Sequence, residues 1–433
     1  MLLSMLIRSI GSSFLGRRLN RAKFSELIRS SITYRFVHSV YEILSRSYES
    51  SCAARLLRGA CSSLGRALSF RKPPVRGDNA VIKRLFELLF SPFALPIGLL
   101  TFFMLSLVRI SENTILLLLL TIVAMILGIA LARAEEDLGV RDARGVVLLL
   151  GVAMFLIGYA SFIVQLANTG GIPLLDEQVR RRLSVILNYL SWTTVPGAAF
   201  ILSSSNLRKC DAIAFSLLGF IPSLFLAFRT EMIAYLLAVT LVLHKRRMIG
   251  LGFMIPALLL AVISFLGIGA LRSIATGLVQ NPLLSVLYRP TITVAALDTI
   301  VRIYGMRPVT NGYIHLAAIS SLGLISGPRY GPRNLIGRYT MGRTDVSTTA
   351  TLIGGPLLDW GLIGALGVSL MYSYMLALSH RFAGKSEALL GPYAVIYSYT
   401  IVGIETGILD LNVYIYLILS ALIVVFSLRP GER

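Results

Sequence analysis

The sequence is dominated by a succession of apolar runs long enough to cross a lipid bilayer. The clearest run, Thr114 to Ala132, contains no charged residue. A spanning segment must satisfy its own backbone hydrogen bonds in hydrocarbon, so such runs fold as helices. Only 14% of the residues are charged, whereas a soluble domain carries about a quarter. The chain is therefore predicted to be an all-α, polytopic membrane protein.

Hydropathy predicts about ten transmembrane helices within a membrane domain of residues 86–428. A long polar segment, residues 272–350, separates the seventh span from the eighth, and residues 429–433 form a short tail. The sixth span is the shortest. The predicted spans are 88–108, 114–132, 146–167, 183–202, 212–228, 232–244, 248–271, 352–378, 389–409 and 411–428.

Residues 1–85 form a basic N-terminal region without an apolar run of spanning length. The first 84 residues hold 16 basic and 4 acidic side chains. This composition indicates amphipathic helices on a membrane surface, or alternatively an organellar transit peptide. Because hydrophobic spans follow, the expected partners of this charge are anionic membrane lipids and not nucleic acid.

The basic residues also predict an orientation. If the N-terminus is cytosolic, all six lysines fall on the cytosolic side of the cell membrane, together with the C-terminus. Eight arginines and no lysine then lie in the outward segment 272–350. We interpret outward arginines as binding sites for anions. The alternative is a general preference of this chain for arginine, of which it has 35 against 6 lysines.

Two shorter outward loops carry candidate anion ligands. Arg180 and Arg181 follow the turn of Gly170 and Gly171, where the next helix is predicted to begin. Cations oppose the dipole at a helix start, so these arginines indicate an external anion, or else contacts with lipid headgroups. Arg229 lies with Glu231 between two short spans, which suggests either a functional site or mutual neutralisation at the interface.

The polar segment adds further candidates. Residues 286–305 show helical spacing, with Ile292, Ala296, Ile300 and Ile303 sharing a face and Asp298 paired with Arg302, as in a helix on the outer surface. Two Gly-Pro turns present Arg329 and Arg333 in a geometry suited to phosphate, although a plain solvated turn has the same sequence. Arg338 follows them.

Several residues are candidates for a general base. His315 is the one histidine on the predicted outward side, and Asp359 competes with Asp345, Glu405 and Asp410. The sequence has no DxD pair, no HExxH and no cluster of metal ligands, and the phosphate-loop pattern fails around Gly384. Phosphate chemistry here is expected to use arginine, with no metal and no cofactor.

Three motifs, in this order, resemble the oligosaccharide repeat unit polymerases, which are O-antigen polymerase-like membrane proteins related to O-antigen ligases. They are GGIPLL (Gly170 to Leu175), FRTEMIAYLL (Phe228 to Leu237) and TTATLIGGPLLDWGLIG (Thr348 to Gly364), with the long outward segment between the last two. The resemblance covers about residues 88–428.

The resemblance implies the C-type membrane glycosyltransferase architecture and an inverting, metal-independent reaction on the outer face of the membrane. Such enzymes move a glycan from a polyprenyl diphosphate donor to a hydroxyl of a second lipid-linked unit. A glycan flippase and a chain-length regulator are implied partners. By position, Arg229 would hold the diphosphate, with Arg180 or Arg181 and Arg289 next. Forked guanidinium groups suit the charge of this leaving group.

One departure from the family pattern bears on the reaction. The ligase branch carries a histidine shortly before the GLxG-type helix start, where this chain has Ser347, Thr348, Thr349 and Thr351. This favours a polymerase over a ligase and leaves the base open between His315 and Asp359. A transporter or flippase should show two matching halves, which the sequence lacks, and a scaffold should tolerate loss of Arg229.

Overall fold

A computed structural model describes residues 87–133, 139–174, 176–250 and 282–429, all within the compact unit Val75–Arg433. The basic N-terminal region, most of the predicted seventh span and residues 430–433 lie outside these ranges, as does the side chain of Arg181. About 74% of the described residues are helical and almost none lie in strands, so the all-α prediction is confirmed.

The helices are α1 Ala94–Met104, α2 Glu112–Arg133, α3 Arg144–Thr169, α4 Glu177–Arg181, α5 Val185–Ser191, α6 Thr194–Ser204, α7 Lys209–Phe225, α8 Arg229–Lys245, α9 Pro282–Tyr304, α10 Tyr313–Ser320, α11 Pro332–Met341, α12 Thr351–Ala383, α13 Leu390–Thr406 and α14 Leu411–Phe426. A 3₁₀ turn, Glu387–Leu389, leads into α13. Two short strands, β1 Gly139–Val140 and β2 Leu428–Arg429, pair antiparallel.

Five described segments are long and apolar enough to cross a membrane. Two shorter apolar helices, α1 and α14, accompany them. The chain is thus a multi-pass membrane protein, while the number of ten crossings remains a prediction. The five segments are Glu112–Ala132, Arg144–Thr169, Val185–Ser204, Thr351–Ala383 and Glu387–Thr406.

Glycines allow the long helices to approach closely. A Cβ atom at Gly128 of α2 would lie 2.4 Å from the carbonyl oxygen of Leu370 in α12. A Cβ at Gly197 of α6 would lie 2.6 Å from the backbone nitrogen of Phe155 in α3. Helices inside a membrane associate mainly through such close packing and hydrogen bonds. These contacts fix the bundle that carries the polar residues at its ends.

Polar contacts join neighbouring segments at both ends of the bundle. At one end, which we call the opposite end, Arg246 contacts Glu387, and β1 pairs with β2. At the other, the site end, Ser111 binds Asp298 and the Leu174 N–H donates to the Phe225 carbonyl. In each case the joined segments are ones that the sequence assigns to the same side. Which end faces the cytosol remains a prediction.

The polar segment contains packed helices. Helix α9 forms where the sequence predicts a helix, but the face that it buries differs from the predicted one. The predicted pair forms, with Arg302 Nε 2.6 Å from Asp298 Oδ2. The predicted apolar face is wrong in part, because Ile292 and Ile303 are exposed while Val294 and Leu297 are buried.

The rotation of α9 has a local cause. Asp298 turns inward to accept hydrogen bonds from the Ser111 N–H (2.8 Å) and the Thr114 hydroxyl (2.8 Å) at the start of α2. A carboxylate is favoured at a helix N-terminus, where backbone N–H groups lack partners. This contact sets which face of α9 is buried.

Candidate functional site

Three arginines from different elements converge at the start of α8. Arg229 is the first residue of that helix and follows Ala227, which has a left-handed backbone (φ 58°). The positive charges of Arg289 on α9 and Arg180 on α4 act on Arg229, and Glu405 supplies an opposing negative charge. Arg289 Nη1 lies 3.5 Å from Glu405 Oε1. Charged side chains of α4, α8, α9 and α13 therefore meet at this point.

A second ion pair adjoins this group. Arg333, near the start of α11, donates from Nη2 to Asp410 Oδ2 at 2.5 Å, and Asp410 immediately precedes α14. The charges of Asp410 and Arg333 both act on Glu231 in the first turn of α8, so this pair lies near the start of that helix. We call Arg180, Arg229, Arg289 and Arg333 the arginine cluster.

Glu231 lies two residues after Arg229 in α8 but points into the bundle. Its side chain is buried and accepts hydrogen bonds from the Tyr399 hydroxyl (2.6 Å) and from Asn412 Nδ2 (3.5 Å). A buried carboxylate requires such donors. Glu231 therefore ties α8 to α13 and α14, a role different from neutralising Arg229 at the interface.

A second polar site is built around Asp359 of α12, whose side chain is fully buried. Asp359 Oδ1 accepts from the Thr310 hydroxyl and from the Ile314 N–H (2.9 Å). Asp359 Oδ2 accepts from the His315 N–H (2.9 Å) and contacts Nδ1 of the His315 ring. The carboxylate thus caps the first turn of α10, which begins at Tyr313.

This arrangement depends on a break in α12 at Gly361, whose backbone angles are φ 64° and ψ −155°. In a continuous helix the Leu362 N–H would bond to the Leu358 carbonyl. Here the Leu362 N–H donates to Met306 (2.9 Å), and the Leu358 carbonyl accepts from Val309 (2.7 Å) and Thr310 (2.9 Å). The exchange joins α12 to the loop before α10 and so brings His315 to Asp359.

Aromatic rings border this second site. The His315 and Trp360 rings have centroids 4.4 Å apart and are tilted by 32°. The Tyr414 ring lies 6.3 Å from His315 on another side. We call His315, Asp359 and Trp360 the histidine site. It adjoins the arginine cluster through α14, since the Tyr414 N–H donates to the carbonyl of Asp410, the partner of Arg333.

Comparisons with known proteins agree with this arrangement of a membrane bundle and polar end. The family model described as "Putative O-antigen polymerase" matches residues 88–417. The chain belongs to this O-antigen polymerase family. The match confirms the resemblance inferred from the three motifs and indicates membrane glycan polymerisation with lipid-linked oligosaccharides.

A curated relative of this O-antigen polymerase family protein comes from Methanocaldococcus jannaschii. It is described as an uncharacterized protein and is 29% identical over 285 residues, covering 64% of this chain and 76% of the relative. No solved structure matches the chain. The site residues must therefore be interpreted from their own geometry.

In this member of the O-antigen polymerase family, the structure brings together four of the predicted anion ligands, namely Arg180, Arg229, Arg289 and Arg333. Arg329 and Arg338 are exposed on the polar segment, and no described contact joins them to the cluster. Arg181 has no described side chain. Of the base candidates, Asp345, Glu405 and Asp410 pair with arginines, and His315 pairs with Asp359.

One sequence expectation about the arginines is wrong. Arg180 and Arg181 do not open a helix, because α4 begins at Glu177, with Asp176 accepting from the Gln178 N–H at 2.7 Å. The arginines occupy the end of α4, where a cation is favourable to the helix dipole. The prediction missed the signal for this helix start, which is an Asp at the N-cap (Asp176) followed by an acidic residue in the first turn.

Sequence reasoning also missed the partners that hold the site residues. Tyr399 and Asn412 donate to Glu231, and Thr310 donates to Asp359. The signal for Asn412 was present, since a lone amide in an apolar run must find a polar partner. No comparable signal marks Thr310.

Proposed function

We propose that this protein is an integral-membrane glycosyltransferase that polymerises lipid-diphosphate-linked oligosaccharide repeat units into a surface polysaccharide. A hydroxyl of one unit attacks the anomeric carbon of another from the face opposite the diphosphate. The new glycosidic bond forms as the bond to the diphosphate breaks, so the configuration inverts and the polyprenyl diphosphate leaves with the electron pair.

The observation that carries this proposal is the convergence of arginines from several elements at the start of α8, beside a histidine site. The positive charges of Arg180 and Arg289 both act on Arg229, and the negative charge of Glu405 acts in the opposite sense. Bringing like charges together costs free energy that a bound dianion would offset. A diphosphate leaving group gains negative charge as its bond breaks, and guanidinium groups can stabilise it without losing a proton.

The proposed reaction takes place on the outer face of the cell membrane, in the C-type architecture, with no metal ion or other cofactor. Both termini are then cytosolic, and a flippase delivers the lipid-linked units. Single cysteines in a cysteine-free background test this orientation. An impermeant thiol reagent should label Leu324→Cys, whose side chain is exposed, and should spare Ser386→Cys at the opposite end. The reverse pattern would overturn the outward placement.

The test of function is surface glycan length in a deletion strain carrying wild-type protein, Arg229→Ala or Arg343→Ala. Wild type and Arg343→Ala should make long chains, because Arg343 is exposed and pairs only with Asp345 among the described residues. Arg229→Ala should leave single lipid-linked repeats, with the rate lowered about 100-fold, as for loss of one preorganised donor. Immunoblots control for protein level.

Each alternative gives a different glycan pattern. Long chains that accumulate on the carrier lipid in the deletion strain would identify a ligase, because polymerisation would then proceed without this protein. Repeats that stay on the cytosolic side would identify a flippase. Wild-type chain length with Arg229→Ala would show that the cluster does not hold the diphosphate.

A further inference from the structure

Asp359 has no lone pair left for a substrate. Its two oxygens accept four hydrogen bonds, from the Thr310 hydroxyl, the backbone of Ile314 and both the backbone and ring of His315. The side chain is 0% exposed. A carboxylate that is fully bonded and buried cannot take a proton from an incoming hydroxyl. Asp359 can, however, fix the orientation of the His315 ring.

The contact with Asp359 also sets the tautomer of His315. Nδ1 faces the carboxylate, so the ring proton lies on Nδ1 and the lone pair on Nε2. No described residue makes a hydrogen bond to Nε2. The side chain is 17% exposed, which leaves a route from outside to the ring. The same logic of base and orienting carboxylate operates in hydrolytic triads.

Trp360 provides a surface suited to a sugar. Its ring packs against His315 on one side, yet the residue is 43% exposed. Tyr313, two residues before His315, is 45% exposed. An exposed aromatic ring beside polar groups offers a flat apolar surface for a ligand. The C–H face of a pyranose ring can cover such a ring while its hydroxyls stay available to His315.

We propose that the histidine site is the acceptor-sugar subsite of this enzyme. Trp360 packs against the acceptor ring, His315 Nε2 removes the proton from the attacking hydroxyl, and Asp359 is the positioning residue for His315. The oxygen bonds to the anomeric carbon of the donor as the carbon–diphosphate bond breaks, and the proton passes from His315 to water. This inference rests on the proposed function and assigns the arginine cluster to the donor alone.

The positions of the two sites suit this division. Asp410 binds Arg333 of the cluster, and Tyr414, one turn later in α14, lies beside the His315 ring. Donor and acceptor would therefore meet over the segment between α13 and α14. A general base must approach within hydrogen-bond distance of the proton that it removes.

The test uses purified full-length protein in liposomes. The donor is the lipid-linked oligosaccharide that the deletion strain accumulates, and the acceptor is the fluorescently labelled oligosaccharide released from the same lipid. His315→Gln should lower kcat about 100-fold, within the usual contribution of a general base, with little change in either KM. The control is His380→Gln, which removes an imidazole at the other end of α12.

The remaining variants separate the three roles. Trp360→Ala should raise the KM for acceptor about tenfold, as expected for a lost aromatic contact, and Trp360→Phe should restore it. Asp359→Asn should lower kcat without changing the donor KM. Combined with His315→Gln it should add little further loss, since the two residues act as one unit. Imidazole should partly restore His315→Ala.

Wild-type kcat for His315→Gln would overturn the assignment of the base, and a wild-type acceptor KM for Trp360→Ala would overturn the sugar surface. Additive loss in the double variant would show that Asp359 serves the fold alone. Failure of the wild-type protein to elongate the acceptor would instead reject the proposed function, so the two failures are distinguishable.

Discussion

The two ends of the helical bundle use arginine in different ways. At the opposite end, Arg246 donates from Nη1 to the carbonyls of Leu202 (2.7 Å) and Ser205 (2.6 Å) at the end of α6. Arg381 donates to the carbonyl of Ala132 at the end of α2 (3.2 Å). At the site end, the positive charges of Arg289 and Arg180 act on Arg229.

The difference follows from the direction of the helices. The C-terminal ends of α2, α6 and α8 lie at the opposite end, where free carbonyls and a negative partial charge attract cations. Helix α8 starts at the site end with Arg229, where free N–H groups and a positive partial charge disfavour a cation. Backbone carbonyls therefore account for the arginines at the opposite end. The helix dipole does not favour Arg229 at the start of α8, and we propose that Arg229 binds an anion there.

The largest effect is expected from a substitution that changes the backbone at the site end but leaves every charged residue in place. A Cβ at Gly361 would lie 2.8 Å from the Met306 carbonyl and 2.9 Å from the Pro308 nitrogen, in a backbone conformation that is essentially restricted to glycine. Gly361→Ala should cost about 1–3 kcal/mol of stability and abolish most transfer, because Asp359 and His315 would separate. Melting temperature and kcat measure the two effects.

Gly367→Ala is the matched control on the same helix, since a Cβ at Gly367 meets no atom within 4 Å. Removing this glycine should be neutral or stabilise by about 0.4–1 kcal/mol, through reduced freedom of the unfolded chain. If both variants behave alike, the break at Gly361 does not position the histidine site.

The opposite end offers a smaller and purely structural effect. Arg246→Ala would leave the Leu202 and Ser205 carbonyls without this donor, at a cost of about 1–3 kcal/mol. The melting temperature in detergent should fall, while kcat and KM below that temperature stay at wild-type values. Loss of turnover by folded Arg246→Ala would show that arginines at both ends serve the reaction.

Much of the fold follows from local pattern, whereas the site does not. Apolar length predicts the long helices, and i, i+4 spacing predicts the pair of Asp298 and Arg302. The buried face of α9 was misplaced because a polar residue, Asp298, turns inward to cap another helix. A prediction from local periodicity places a charged residue such as Asp298 on the exposed face.

The site end depends on contacts between distant parts of the chain. Asp359 and His315 are 44 residues apart, and they meet only because Gly361 breaks α12 and the loop of residues 306–310 takes over its hydrogen bonds. The sequence presents both residues as rival bases, since nothing local indicates that they pair. Arg229 could be selected as a candidate from local sequence alone, because a charged residue between two apolar runs is recognisable without any knowledge of its neighbours. Its role remains a prediction.

The smallest expected effect concerns an arginine of the polar segment that has its own partner. Arg343 donates to both carboxylate oxygens of Asp345, at 3.0 and 2.6 Å, and both side chains are 65% exposed. The hydrogen bond from Arg343 lowers the pKa of Asp345. A lowered pKa of Asp345 stabilises the fold at pH values above the ordinary carboxyl pKa of about 4, and this contribution is lost as the pH falls below that value.

Exposed ion pairs contribute little to stability, so Asp345→Asn should leave the melting temperature and the glycan length unchanged at neutral pH. A shorter glycan with Asp345→Asn would instead place Arg343 in the substrate site and extend the arginine cluster along the polar segment.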